Sequence, residues 1–266
     1  MNSNSSNPWL APLDNLSRVS LRLFCFPYAG GGAATYRTWR EELPSFVEVC
    51  PVLLPGREAR LREPAFSSVF PLVEALAPAI IPFLDLPFVL FGHSMGALIA
   101  FELVRELRRR RQPLPECLFV SARAAPGFTL TQPPISDLPE EELSRALIEL
   151  KGAEPGMLQH PELMNLMFPT LRADLALHER YQYVEEPTLE CPIVAFGGLQ
   201  DTSTDVDGLS SWREQTARSF VRRMFPGGHF FINTQPVFFL SKFSRDLHRI
   251  VAGIPRKTGS DRACIA

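Results

Sequence analysis

Lysine is nearly missing from this chain: of 27 basic residues, 24 are arginine and three are lysine. That skew carries no function by itself. The acidic residues outnumber the basic ones slightly, for a formal charge of −2, so overall electrostatics give no support to a nucleic-acid partner. Cysteine is sparse and odd in number, five in all, with no C-x-x-C spacing. Cys25, Cys50, Cys117 and Cys191 each sit in or beside an apolar run, which reads as buried reduced thiols suited to a reducing cytosol; Cys264, near the end, is the one thiol expected to be exposed. No apolar stretch approaches the 18 clean residues of a membrane span, because Pro82, Asp85 and Pro87 interrupt the longest. The opening "MNSNSSNPWLAPL" has neither a basic start nor a long apolar core, so no signal peptide is expected. Nothing matches G-x-x-x-x-G-K-[ST], and there is no internal repeat. These absences point to a soluble cytoplasmic protein without a nucleic-acid or membrane partner.

What is present is a chain of 266 residues, 45 % apolar and 21 % charged, enough for one α/β domain with an insertion. Six short apolar runs read as strands: 21–26, 47–54, 88–92, 117–122, 192–198 and 220–225. Several are nearly continuous in apolar residues, as parallel strands covered on both faces should be. Helical patterns lie between them, at 35–43, 66–84, 95–111, 208–218 and 236–253. Strands alternating with helices imply a mostly parallel sheet flanked by helices. Residues 1–18 read as a flexible leader, 19–253 as a single domain, and 254–266 as a flexible tail.

One segment, 126–186, breaks the alternation. It contains no convincing strand, a helix over 139–150, and two further helical pieces separated by Pro169. Helices that do not alternate with strands are expected to form a lid over the sheet, the plainer reading being extra packing helices.

The third strand runs directly into Gly92-His93-Ser94-Met95-Gly96, and a helix starts directly after it. G-x-S-x-G in a strand–turn–helix setting is a nucleophile elbow, which lifts the Ser94 hydroxyl above the carboxyl edge of the sheet. The helix N-terminus beneath favours developing negative charge. An oxyanion hole needs two backbone N–H groups. One is expected from Met95. The other comes from the Gly-rich "FPYAGGGA" loop after the first strand, from Tyr28 or Ala29, with Ala29 preferred.

A serine needs a base. Of five histidines, His93 adjoins the nucleophile but is expected to point away, His160 and His178 fall in the insertion, and His248 falls on the last helix. His229 lies in the Gly-rich turn "FPGGHFFI" just after the last strand, where the base belongs if the order is Ser, acid, His. The acid then lies in "FGGLQDTSTDVDGLSSWRE". Asp201 occupies the turn after the fifth strand, while Asp205 and Asp207 stand at the start of the next helix and suit its N-terminus. The spacing from Ser203 to Glu214 resembles a calcium loop but fails at its first ligand and is preceded by a strand.

With these residues placed, the chain resembles the type II thioesterases, standalone α/β-hydrolases of polyketide and nonribosomal peptide synthesis. The resemblance runs over roughly residues 8–252 and rests on "CFPYAGGGA", "LPGRE", "FGHSMGA", "FPTLRADLALHERYQY", "CPIVAFGGLQD" and "FPGGHFFI". It implies an α/β-hydrolase fold, a Ser94–Asp201–His229 triad, and a helical lid over an acyl pocket. It also implies a substrate, an acyl thioester on the phosphopantetheine arm of an acyl or peptidyl carrier protein, hydrolysed without metal or cofactor to clear stalled or misloaded units. A product-releasing thioesterase, a small-ester hydrolase and a carrier-binding module without turnover are the alternatives, and a monomer is expected. The chain departs from the family at Thr202, where proline is frequent. Arg108–Arg111 reads as a solvated helix end, with docking of an acidic carrier protein as the sharper alternative.

Overall fold

The computed structural model of the chain describes residues 7–11, 19–128, 134–149 and 161–254. Most of the expected leader, the expected tail with Cys264, and His160 lie outside them. Residues 7–11 differ from a loose leader. Leu10 bridges Val52, Leu53 N–H donates to Trp9 O at 2.8 Å, and Trp9 is buried beneath the Arg60 guanidinium. A tryptophan that can bury its ring against a cation does not stay in water.

Six parallel strands form one sheet: β1 Leu21–Phe26, β2 Val47–Pro51, β3 Phe88–His93, β4 Cys117–Ser121, β5 Ile193–Gly198 and β6 Phe220–Phe225. Their order is β2-β1-β3-β4-β5-β6. The near-continuous apolar runs have the cause expected. Phe24, Phe26, Leu90, Leu118 and Val120 face one core, while Leu23, Cys25, Phe91, Phe119 and Phe196 face the other. The first core lies under α2 (Val69–Ile80) and α3 (Met95–Arg109). The second lies under the short α1 (Trp39–Glu42) and the last helix, where Trp39 packs on Phe239 and Phe243. Burial pushes the thiol pKa of Cys25 and Cys117 well up and that of Cys191 to about 12, so these cysteines are inert apolar fillers.

The chain leaves β1 toward β2 over one face and leaves β3 toward β4 over the other. The gap between β1 and β3 is therefore a topological switch point, where loops diverge and leave a crevice at the carboxyl ends of the strands.

The segment between β4 and β5 contains α4 (Glu140–Glu149) and α5 (Pro161–Glu179). Pro169 does not separate two helices; it lies inside α5. A proline there removes one ladder hydrogen bond. Packing of Phe168 and Leu171 with Leu143 and Leu147 of α4, on both sides of the proline in sequence, holds the helix through it. α5 lies over the loops that leave β1 and β2: Thr170 Oγ1 donates to Gly56 O at 2.6 Å, and Asp174 accepts from Gly30 N–H at 2.8 Å. After β5 come α6 (Val206–Ser210) and a 3-10 turn at Ser211–Gln215, shorter than the single helix expected. After β6 come α7 (Phe231–Thr234) and α8 (Pro236–Gly253). Arg108, Arg109 and Arg110 are not a free cationic face. Arg108 and Arg109 pair with Glu186, at 2.7 and 2.6 Å, and Arg109 and Arg110 pair with Glu106, at 2.9 and 2.5 Å. Among the described residues no helix is long and apolar enough to cross a membrane.

The elbow depends on close backbone approach. A Cβ on Gly96 would overlap the Phe26 carbonyl, and one on Gly92 would overlap the Gly96 carbonyl. Gly96→Ala should therefore lower stability by about 1–3 kcal/mol or more, read as a drop in the urea midpoint, because neither contact is with a side chain that could swing aside.

Candidate active site

Ser94 stands between β3 and α3 at φ 54° and ψ −116°, a conformation that costs a non-glycine residue about 1–3 kcal/mol. Its own N–H donates to Ser121 O of β4 at 2.7 Å, which continues the β3–β4 pairing through the turn and holds the strain. The serine is half-buried at the N-terminus of a 15-residue helix. The N–H groups of Met95 and Ala29, the two expected oxyanion donors, make no hydrogen bond among the described residues. Around Ala29 the backbone is committed: Gly31 N–H donates to Tyr28 O at 2.9 Å and Gly30 N–H to Asp174.

Asp201 and His229 meet. Leu199 N–H and Gln200 N–H donate to Phe225 O and Gly227 O at 2.8 and 2.9 Å, extending the β5–β6 ladder into the loops that carry the two residues. Gly198 permits this, since a Cβ there would strike the Gly228 carbonyl. Asp201 Oδ2 then lies 2.9 Å from His229 Nδ1. A carboxylate only accepts, so Nδ1 carries the proton and Nε2 is left as the acceptor. The other carboxylate oxygen accepts from Ser203 N–H at 2.9 Å and Ser203 Oγ at 2.7 Å, and the same hydroxyl is 2.8 Å from His229 Nδ1. The Asp201 side chain is 1 % exposed and that of His229 15 %. Burial works to raise the Asp201 pKa, but the bond and charge of His229 and the two Ser203 hydrogen bonds outweigh it and hold the carboxyl below its ordinary range. No hydrogen bond joins the Ser94 hydroxyl to His229 among the described residues.

The other acids separate from this pair. Asp205 is the N-cap of α6, accepting from Gly208 N–H at 2.7 Å, and Asp207 sits in its first turn. Among the described residues no group of three or more His, Cys, Asp or Glu is placed to hold a metal ion.

The remaining histidines divide. His248 donates to Ser244 O on α8 and stacks edge-on against Phe46, away from the site. His93 does not point away from it. The ring is fully buried, 5.4 Å from His229 centroid to centroid, and touches Tyr28 and Phe230. Burial, and then the charge of His229, push its pKa well down, so it is a neutral spacer bonded to Ser121 Oγ at 2.9 Å. The elbow does turn Ser94 and His93 apart; the expectation missed that the buried side of the turn is the underside of the His229 loop. On α5, burial, the Arg123 guanidinium and the charge of His229 push the His178 pKa down to about 3.

Sequence reasoning also missed Ser203, Arg57 and Asp174. Ser203 was visible as a hydroxyl two residues after the acid, the spacing of a local side-chain turn. Arg57 and Asp174 stood inside the quoted "LPGRE" and "FPTLRADLALHERYQY" segments, but nothing in sequence shows that they meet: they form a bidentate pair with both bonds at 2.7 Å.

The Thioesterase domain family model matches residues 21–247. The chain belongs to the thioesterase family. This thioesterase is 42 % identical over 226 residues to the gramicidin S biosynthesis protein GrsT of Aneurinibacillus migulanus, which covers 85 % of this chain and 88 % of that protein. The structure of RedJ, a thioesterase of the prodiginine pathway of Streptomyces coelicolor, superposes with a TM-score of 0.81 at 38 % identity, covering 89 % of this chain and 90 % of that one. BorB, the type II thioesterase of the borrelidin cluster, superposes with a TM-score of 0.82 at 32 % identity, covering 92 % and 100 %. The enzyme is thus a thioester hydrolase of the α/β-hydrolase fold, with homologues among the type II thioesterases of these pathways.

Two outcomes test the electrostatics. Asp201→Asn should lower kcat by on the order of 10³–10⁴-fold, while Asp205→Asn, which keeps a good cap, should leave kcat within about twofold. His178 resists protonation when folded and takes a proton near its ordinary pKa when unfolded, so its contribution costs stability progressively as pH falls from about 6.5 toward 3. His178→Gln should flatten the fall in urea midpoint over that window; an unchanged slope counts against the burial argument.

Proposed function

We propose that this thioesterase hydrolyses acyl groups held as thioesters on the phosphopantetheine arm of a carrier protein, and that it clears stalled or misloaded units from a polyketide or nonribosomal peptide synthase. The observation that carries the mechanism is the hydrogen-bonded Asp201–His229 pair at the same strand edge as a strained elbow serine. Ser94 Oγ attacks the thioester carbonyl while His229 Nε2 takes its proton. Asp201 keeps the imidazole in the required tautomer and balances the imidazolium. The uncommitted N–H groups of Met95 and Ala29 receive the oxyanion. The C–S bond breaks, the thiolate takes the proton from His229, and the acyl group stays on Ser94. Water, deprotonated by His229, then releases the acid and regenerates the serine. The Ser94–His229 bond forms as substrate excludes water from the site.

Support for an acyl group comes from α4 and α5. Leu143, Leu147, Met164, Phe168, Leu171 and Leu175 form an apolar cluster that reaches Ala29 itself. In this reading 126–186 is a lid, and the acyl chain lies against that cluster with its carbonyl at Ala29 and Met95. Kinship with synthase-pathway thioesterases supports the carrier-bound form of the substrate.

Ser94→Ala should lower hydrolysis of an acyl-carrier thioester by on the order of 10⁴-fold or more, with the folded state intact. Parental rates in that variant would refute the nucleophile. Against a panel, kcat/KM for acyl-carrier thioesters should exceed that for simple oxygen esters by at least about tenfold. The reverse order would instead favour a small-ester hydrolase.

A further inference from the structure

Arg57, just after β2, and Asp174, on α5, are an ion pair taken almost wholly out of water, with side chains 9 % and 3 % exposed. Such a pair is costly to desolvate and persists only when its remaining donors and acceptors are filled. Half of these bonds are made with the loop that carries Ala29. Asp174 Oδ2 takes the Gly30 N–H at 2.8 Å, and Arg57 Nη1 donates to Gly31 O at 2.9 Å. Arg57 Nε and Nη2 each reach Pro55 O at 3.3 Å. Thr170, one turn earlier on α5, holds Gly56 O. Gly30, at φ 75°, has Leu171 of α5 where a Cβ would stand.

The consequence falls on one peptide unit. The Ala29 N–H shares its peptide plane with Tyr28 C=O, which is fixed by Gly31 N–H. The next plane along is fixed by Asp174. We propose that Arg57 and Asp174 are positioning residues that aim the Ala29 N–H, so that seating of the lid helix and assembly of the oxyanion hole are one event. The inference rests on the acyl-enzyme reading of Ser94. It requires that the pair act on the tetrahedral state and little on the bound thioester.

The test compares Asp174→Ala, Asp174→Asn and Arg57→Lys with the parent enzyme on an acyl-pantetheine thioester. Two inhibitors are measured beside it: a trifluoromethyl ketone, which forms a tetrahedral adduct with serine, and a thioether isostere of the substrate, which does not. Asp174→Ala should lower kcat by about 10²–10³-fold, the scale of losing one oxyanion donor, with KM within about threefold. Ketone affinity should fall in parallel, and thioether affinity and the pH–rate profile should stay in place. Asp174→Asn retains an acceptor for Gly30 and should lose about tenfold. Arg57→Lys keeps the charge but not the fork and should resemble it. A kcat within threefold of parent, or equal losses for ketone and thioether, overturns the inference, the second result making α5 a binding surface only. If Asp174→Ala does not fold, Asp174→Asn decides by the same criteria. Ser94→Ala separates the two readings. Turnover in that variant sinks the nucleophile and this inference with it. A dead Ser94→Ala beside active Asp174 variants sinks this inference alone.

Discussion

The contact between Gly96 and the Phe26 carbonyl sets the spacing of everything at the carboxyl edge of the sheet. Only a residue without Cβ lets α3 settle onto the end of β1. That approach draws the helix N-terminus and the loop after β1 into one crevice at the switch point. The same turn holds Ser94 at a positive φ. The strain, about 1–3 kcal/mol, is small against the burial of Leu98, Ile99, Leu103, Val104 and Leu107 on the same helix, each contributing about 1.5–3 kcal/mol. A strongly packed helix therefore holds a weakly favoured turn, and the turn presents a hydroxyl and an N–H to the same space.

The strands were legible because burial on both faces writes a continuous apolar run, and the elbow because backbone overlap demands glycine at two fixed positions. Asp201 could be told from Asp205 and Asp207 by place alone. It follows the end of β5 directly, whereas the other two precede a helix whose N-terminal N–H groups need acceptors. What could not be read was what depends on distant partners. Pro169 argues locally for a break, and tertiary packing of Phe168 and Leu171 overrides it. The Arg57–Asp174 pair spans 117 positions and leaves no periodic trace. The Arg108–Arg110 run reads as a solvated helix end, and its side chains are part-exposed, but its pairing with Glu186 in a distant segment leaves no trace in composition.

Polar bonds also sort the insertion into parts. Glu102, fully buried on α3, takes Tyr181 Oη at 2.6 Å and Arg105 at 2.7 Å, and Arg105 reaches on to Glu186. This cluster anchors the chain leaving α5 to the elbow helix. In the middle of α5, Asp174 and Thr170 anchor it to the loops after β1 and β2. Glu179 accepts the N–H groups of Ile135 and Ser136, so the approach to α4 is tied to α5 rather than to the sheet. α5 is bonded to the body from its middle, through Asp174 and Thr170, and by the chain that leaves its C-terminus, and α4 rests on it through apolar side chains.

The same logic governs where a proton can reside. His93 and His178 each feel the charge of His229, and the His93 ring packs 5.4 Å from it. Two imidazolium ions so near in a poorly solvated space would repel strongly. Burial keeps His93 and His178 neutral, and among the described residues neither has a carboxylate partner. Only His229 has one, in Asp201, whose lowered pKa keeps it ionised across the working range. Of the three rings, His229 is thus the one with a carboxylate hydrogen-bonded to it, and the neutral His93 ring packs beside it.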